Sequence, residues 1–185
     1  MLFRSLLTDV RVMDEQLHEV SWDGKTVGEI VARGNNVMEG YYKQPEETAK
    51  AMRGGWFHSG DLAVVHPDGY IEVVDRAKDV IVSGGENISS VEVEALLYEH
   101  PAVLEAAVVG VPDPRWGEVP KALVVLKPNQ HASEQELIKF CRDYMAHFKV
   151  PKTVEFVEAL PKTATGKVQK FALREQYWAG QSKRV

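Results

Sequence analysis

The chain changes character near Arg76, and that break restricts it to two small units of different texture. Residues 1–75 carry 7 basic and 13 acidic groups, whereas 76–185 carry 15 and 14. Periodicity shifts at the same place. Ahead of Arg76, apolar residues alternate at Val10 and Val12 and again around Ile30 to Ala32, with Asp23-Gly24-Lys25 as a turn between them, which predicts strands. Pro45 followed by Glu46 and Glu47, then Lys50 and Arg53 ahead of Gly54-Gly55, predicts one short helix with both ends marked. The stretch 62–74 predicts a hairpin around Pro67-Asp68-Gly69.

Past Arg76 the chain alternates helices with strands. VIVSGG is a strand running into two glycines. Ser89 and Glu92 have capping-box spacing, as do Ser133 and Glu136, and each pair opens a predicted helix. The second carries Leu137, Phe140, Cys141, Tyr144 and Met145 at spacings of a core stripe, so Cys141 reads as inert packing. AAVVGV (106–111), KALVVLKP (121–128) and TVEFVEAL (153–160) read as strands, with Pro112 to Trp116 as a loop between the first two. Leu173 to Trp178 predicts a final short helix, and the expected fold class is α+β.

Composition narrows function. A lone cysteine forms no internal disulfide, and six scattered histidines lack metal-ligand spacing, so no structural metal and a reducing compartment are expected. No apolar run is long enough for a membrane span, and the opening MLFRSLL is short for a signal peptide, which leads to the expectation of a soluble, cytoplasmic chain. Residues 149–174 hold six basic groups against Glu155 and Glu158. A local basic stretch in an acidic chain suits a small anion better than nucleic acid, which favours a broad positive face.

Four segments could carry chemistry, and each has a bland alternative. LPKTATGK (160–167) lets backbone approach a ligand while the Lys167 ammonium reaches it. It is not a P-loop, which needs an earlier glycine and a hydroxyl residue where Val168 stands; taken alone, the segment fits a solvated surface lysine better than a catalytic cation. Asp61 in GGWFHSGDL is placed to accept two hydrogen bonds from a sugar diol, or else to cap a turn. The alternating charges Asp75-Arg76-Ala77-Lys78-Asp79 lie at the junction or form a polar linker. Ser83-Gly84-Gly85-Glu86-Asn87 is a phosphate nest opening the Ser89 helix, a surface for an uncharged linear ligand, or a tight turn; Glu86 argues against a naked phosphate.

In order and spacing, GGWFHSGDLAVVHPDGYIEVVDRAKDVIVSGGENISSVEVEALL and the later HFKVPKTVEFVEALPKTATGKVQK resemble the C-terminal end of the acyl-CoA synthetases, the adenylate-forming (AMP-binding) enzymes, most of all fatty-acid CoA ligases. The likeness runs from about residue 8 to Trp178; MLFRSL does not match. It implies a small β-barrel-like subdomain over 1–75 that completes a large adenylation domain, and over 76–185 a mobile lid with a short mixed sheet flanked by helices.

It also implies an acid–thiol ligase that joins a carboxylic acid, expected to be a fatty acid, to ATP as acyl-AMP and then passes the acyl group to CoA. The family's phosphate loop, acyl pocket and magnesium-holding motif lie upstream, so the chain corresponds to roughly the last third of such an enzyme and is expected to be inactive alone. By the resemblance, Asp61 holds the AMP ribose hydroxyls, Arg76 contacts the nucleotide, Lys167 reaches the α-phosphate and carboxylate, and Lys78 is the hinge. Gly84, Gly85 and Glu86 would line the pantetheine tunnel, with Arg142, Lys149 and Lys152 as candidates for the CoA phosphates. The competing expectation is a non-catalytic CoA- or carrier-binding module that dimerises through a face left uncovered on the β-rich unit.

Overall fold

Alternation of buried and exposed side chains builds the first sheet. The structure is a computed structural model describing residues 7–179; the unmatched opening MLFRSL falls outside them. The chain divides into two compact units between Lys78 and Asp79. In the first, β1 (Thr8–Met13), β2 (Gly28–Gly34), β3 (Phe57–Val65) and β4 (Ile71–Arg76) form an antiparallel sheet in that order, with α1 (Pro45–Ala51) between β2 and β3.

Neighbouring residues serve opposite faces of this sheet. Val12, Val20, Ala63 and Val65 pack together with Ile30 and Ile71, while Met13, Val31 and Trp56 pack with Leu17. Two guanidinium groups lie over the Trp56 ring, Arg33 at 4.4 Å and Arg11 at 5.5 Å from its centre, a cation–π arrangement. Asp23 ties the connection to β2 by accepting hydrogen bonds from Thr26 N–H, Thr26 Oγ1 and Lys25 N–H, which hold its carboxyl down at about 2. The β3–β4 turn has Pro67 at its second position and Gly69 at φ +84°. Of the expected barrel-like subdomain, the described residues show this four-stranded antiparallel sheet, in which β1 and β4 are not paired with each other.

The second unit contains β5 (Ile81–Ser83), β6 (Glu86–Ile88), α2 (Ser90–Glu99), β7 (Val103–Asp113), β8 (Gly117–Leu126), α3 (Glu134–Tyr144), β9 (Thr153–Phe156) and α4 (Lys170–Trp178). Its sheet is mixed, ordered β6-β5-β8-β7, with β9 parallel to β8. The strands read as unbroken apolar runs because both faces are covered. Ala106, Val108, Ala122 and Val124 face Val93 and Leu97 of α2 and Leu137 and Cys141 of α3, whereas Ala107, Val109, Leu123 and Val125 face Leu173 of α4 and Leu160, which lies between β9 and α4.

A proline in a central strand normally breaks a ladder. Here β8 pairs with β7 along one side, and with two strands end to end along the other: β5 at Gly117 and β9 from Lys121. Pro120 falls in the gap between β5 and β9, where its missing N–H interrupts nothing, and its carbonyl accepts Lys152 N–H at 2.8 Å. On the far side of β7, the outward backbone groups are met by side chains. Tyr98 Oη donates to Ala106 O at 3.5 Å, Val108 N–H to Glu94 Oε1 at 2.7 Å, and Trp178 Nε1–H to Gly110 O at 2.9 Å.

Three local expectations change. Tyr144, expected on the core stripe of α3, is 71% exposed and leans on Phe140 at the helix end, while Ile138 packs inward instead. The loop expected over 112–116 shrinks to 114–116, because β7 pairs with β8 as far as Asp113. The Ser133–Glu136 capping box is complete, but its counterpart at α2 is only half made. There Ser89 accepts Glu92 N–H, and both Glu92 carboxylate oxygens take Lys149 Nζ at 2.7 Å.

Cys141 is fully buried, and desolvation pushes its thiol up to about 11. At pH 8 a disulfide-exchange reagent is expected to label it about a hundredfold more slowly than an exposed thiol, and at the exposed rate after denaturation. Between the ordinary thiol range and pH 11 the unfolded chain releases a proton that the folded chain keeps, so this group makes stability fall as pH rises through that window.

Candidate functional site

Strand β3 presents Asp61 through an irregular stretch of backbone. Gly60 has φ +75° and the register shifts after Leu62, so Asp61 sits in a strand and not in the turn that one reading allowed. Asp61 pairs with Arg76 across to β4, and Arg76 Nε–H donates to Asp61 Oδ1 at 3.0 Å. Both side chains are partly exposed. Among the described residues, Asp61 Oδ2 and the Arg76 Nη atoms make no hydrogen bond, which leaves one acceptor oxygen and two donor nitrogens beside the pair.

The backbone before Asp61 is pinned from β2. Ser59 Oγ–H donates to Ile30 O at 2.7 Å and accepts Asp61 N–H at 3.1 Å. Glu29 accepts Gly60 N–H at 2.8 Å with one oxygen and meets His58 Nδ1 at 2.6 Å with the other. Sequence reasoning missed this pair, although Glu29 shares strand parity with the buried Val31, an acid on an inward position. Glu29→Ala is expected to lower the stability of the first unit by about 2 kcal/mol by stranding both partners, and to speed amide exchange at Gly60 and Asp61. Urea denaturation with residue-resolved exchange checks both.

In the second unit, Lys167 stands on a short closed turn. Lys162 and Val168 bridge as strands do, Thr163 N–H donates to Lys167 O at 2.8 Å, and Lys167 N–H donates to Thr163 Oγ1 at 3.2 Å. The turn is anchored on both sides. Lys162 Nζ reaches Glu105 at 2.7 Å, and the largely buried Lys170 Nζ reaches Glu94 and Ser90 Oγ, each at 2.7 Å. Arg174 pairs with Asp79 at 3.1 Å and Lys149 with Glu92. Of the six cations in 149–174, only Lys152 and Lys167 make no side-chain ion pair among the described residues.

Gly84 at φ +61° and Gly85 at φ +90° form the two-residue turn of the β5–β6 hairpin, the conformation that favours glycine at both positions. Strand β6 intervenes before α2, so the pair does not open that helix as a phosphate nest would. Gly84 N–H donates to Trp116 O at 2.9 Å, and a Cβ on Gly84 would meet the Trp116 ring at 2.6 Å. The Arg115 guanidinium stacks on the same indole, 4.7 Å from the ring centre. Glu86 is exposed. Arg142 lies in the last turn of α3 and Lys152 precedes β9; among the described residues neither makes a side-chain hydrogen bond or ion pair with the glycine turn. A shallow depression lined by Val125, Leu126, Phe156, Val157 and Glu158 contains none of these residues.

Residues 92–167, which include the Lys167 turn, match the AMP-binding enzyme C-terminal domain. Over those residues the chain is similar to the C-terminal domain of the AMP-binding, adenylate-forming enzymes. It is 55% identical to 4-hydroxybutyrate–CoA ligase 2 of Metallosphaera sedula over 91% of its own length and 30% of that protein. It is 59% identical to the peroxisomal acetate/butyrate–CoA ligase AAE7 of Arabidopsis thaliana, over 88% of this chain and 30% of the relative. ATP-bound MatB of Rhodopseudomonas palustris has the same fold at TM-score 0.87 and 36% identity, covering 94% of this chain and 34% of that one. The chain thus spans about 30% of the length of the curated relatives it matches.

Among the predicted site residues, the structure brings together Asp61 with Arg76 and Gly84 with Trp116. Lys78 is the last residue of the first unit. Among the described residues, no cluster of three or more His, Cys, Asp or Glu side chains could hold a metal, and no helix is long and apolar enough to cross a membrane.

Proposed function

We propose that this chain is the C-terminal part of an ATP-dependent carboxylate–CoA ligase acting on an aliphatic, fatty-acid-type substrate. Lys167 carries the reading: its neighbours Lys162 and Lys170 are committed to carboxylates, while its ammonium is left available on a closed turn. In adenylation the carboxylate attacks the α-phosphorus of ATP and pyrophosphate leaves. Lys167 offsets the negative charge that builds on the phosphoryl and carboxylate oxygens, an electrostatic and not a nucleophilic role.

Asp61 Oδ2 accepts a ribose hydroxyl and Arg76 donates to the same nucleotide, each oriented by the other. Lys78, at the unit boundary, is the hinge about which 79–185 turns between half-reactions. Gly84, Gly85 and Glu86 then border the thiol arm of CoA, with Arg142 as a weaker contact for its phosphates. Magnesium has no candidate cluster among the described residues, so in this reading its ligands belong to the upstream part and no step here passes through it. A cytoplasmic location completes the proposal.

The test joins this chain to the upstream two-thirds of a relative such as the Metallosphaera ligase. The joined protein is expected to release pyrophosphate with ATP and a carboxylate and to form the CoA thioester, whereas the 185-residue chain alone does neither. Pyrophosphate release by the chain alone, or none from the joined protein, overturns the reading.

A second reading rests on Tyr42, Trp22 and Tyr70 of the first unit, exposed by 84%, 51% and 51%. Exposed aromatic side chains support self-association of the isolated chain. Light scattering that shows a monomer across a roughly hundredfold concentration range removes it.

A further inference from the structure

Glu118 is a carboxylic side chain held inside the second unit with only 3% exposure. Its Oε1 accepts Val82 N–H at 2.9 Å. Its Oε2 is buried and, among the described residues, has no hydrogen-bond partner. The space it occupies exists because residue 110 is glycine: a Cβ there would collide with Glu118 Oε2. A buried acid with an unmet oxygen is costly, so a group kept for packing alone would be apolar.

What Glu118 holds is the root of the glycine turn. Strand β5 joins β8 through a single registered pair, Ser83 with Gly117, because Pro120 and the arrival of β9 end the ladder beyond it. Three consecutive residues of one segment therefore grip three consecutive residues of the other. Trp116 O takes Gly84 N–H, Gly117 faces Ser83, and the Glu118 carboxylate takes Val82 N–H as a side-chain rung. Gly84 is thereby seated flush against the Trp116 ring, while a Cβ at Gly85 would meet nothing within 4 Å. The turn is closed beneath and open above.

We propose that Glu118 is a positioning residue for thioester formation, fixing the Gly84–Gly85 turn against which the thiol-bearing arm of CoA lies. The inference rests on the ligase reading for the identity of the ligand; the mechanical part stands on the geometry of the second unit alone. Glu118 touches no reacting atom and acts through Val82 and the turn.

Two measurements separate these parts. In the 185-residue chain, Glu118→Ala is expected to speed amide exchange at Val82, Ser83 and Gly84 by about tenfold, as for loss of one hydrogen bond, with Val108 and Leu123 unchanged. Glu118→Gln, which keeps the acceptor, is expected to restore protection. In the chain joined to an upstream ligase portion, Glu118→Ala is expected to raise KM for CoA by about tenfold with adenylation kcat unaltered. Gly110→Ala, which drives the carboxyl from its slot without removing it, is expected to reproduce both patterns and serves where Glu118→Ala does not fold.

Unchanged exchange at Val82 in both variants overturns the positioning role. Faster exchange with an unchanged CoA KM confines Glu118 to stability and overturns its part in thiol transfer. A joined wild-type protein that makes no thioester defeats the ligase reading and with it the thiol-transfer role, while the exchange result still decides whether Glu118 positions the turn.

Discussion

Lys167→Ala, in the chain joined to an upstream ligase portion, is expected to slow acyl-adenylate formation by about 10²–10³-fold, the scale for removing one preorganised group that stabilises transition-state charge. Thioester formation from preformed acyl-AMP is expected to survive largely intact, because the second half-reaction does not develop that charge beside Lys167. The contrast depends on the turn remaining folded without the ammonium. The bonds that close the turn involve the Lys167 backbone and Thr163, not Nζ, so the fold there is expected to persist. Pyrophosphate exchange and single-turnover thioester assays read the two steps separately. Equal loss in both contradicts the assigned role.

Glu94→Ala is expected to be the most damaging single change to the second unit. Glu94 Oε1 serves Val108 N–H and Lys170 Nζ together, and both charged side chains are largely buried. Removing the acid strands an ammonium and a strand N–H in a low-dielectric region, for a loss of about 3–5 kcal/mol. Thermal unfolding of the isolated chain measures it. Because Lys170 follows the 162–168 turn so closely, the joined protein is also expected to lose adenylation rate. Adding Lys170→Met removes the stranded ammonium, so the double variant is expected to be more stable than Glu94→Ala alone.

The groups behind these two predictions differ in how visible they are in sequence. Lys167 stands out because glycine, small hydroxyl residues and a cation form a local pattern. Glu94 is legible only as an acid next to Val93 on a helix whose buried face continues to Leu97, and its partner Lys170 lies far along the chain. Strands β7, β8 and β9 are evident as apolar runs, and α2 and α3 by their caps. Nothing local announces β6, which is three residues long and exists because Gly84 and Gly85 turn the chain back. Nor can periodicity show that Tyr144 ends its helix facing solvent. Glu118 and Glu29 are hidden for one reason: each bonds a backbone N–H more than thirty positions distant, at 36 and 31 residues.

The side chains along the outer margin of β7 have a consequence for the chain outside any enzyme. A long unpaired strand is a template onto which another copy can add itself, the first step toward fibrils or swapped dimers. By capping alternate positions of that margin, Tyr98, Glu94 and Trp178 leave an incoming strand too few free groups to form a regular ladder. The same residues that brace the helices thus act as a guard against misassembly.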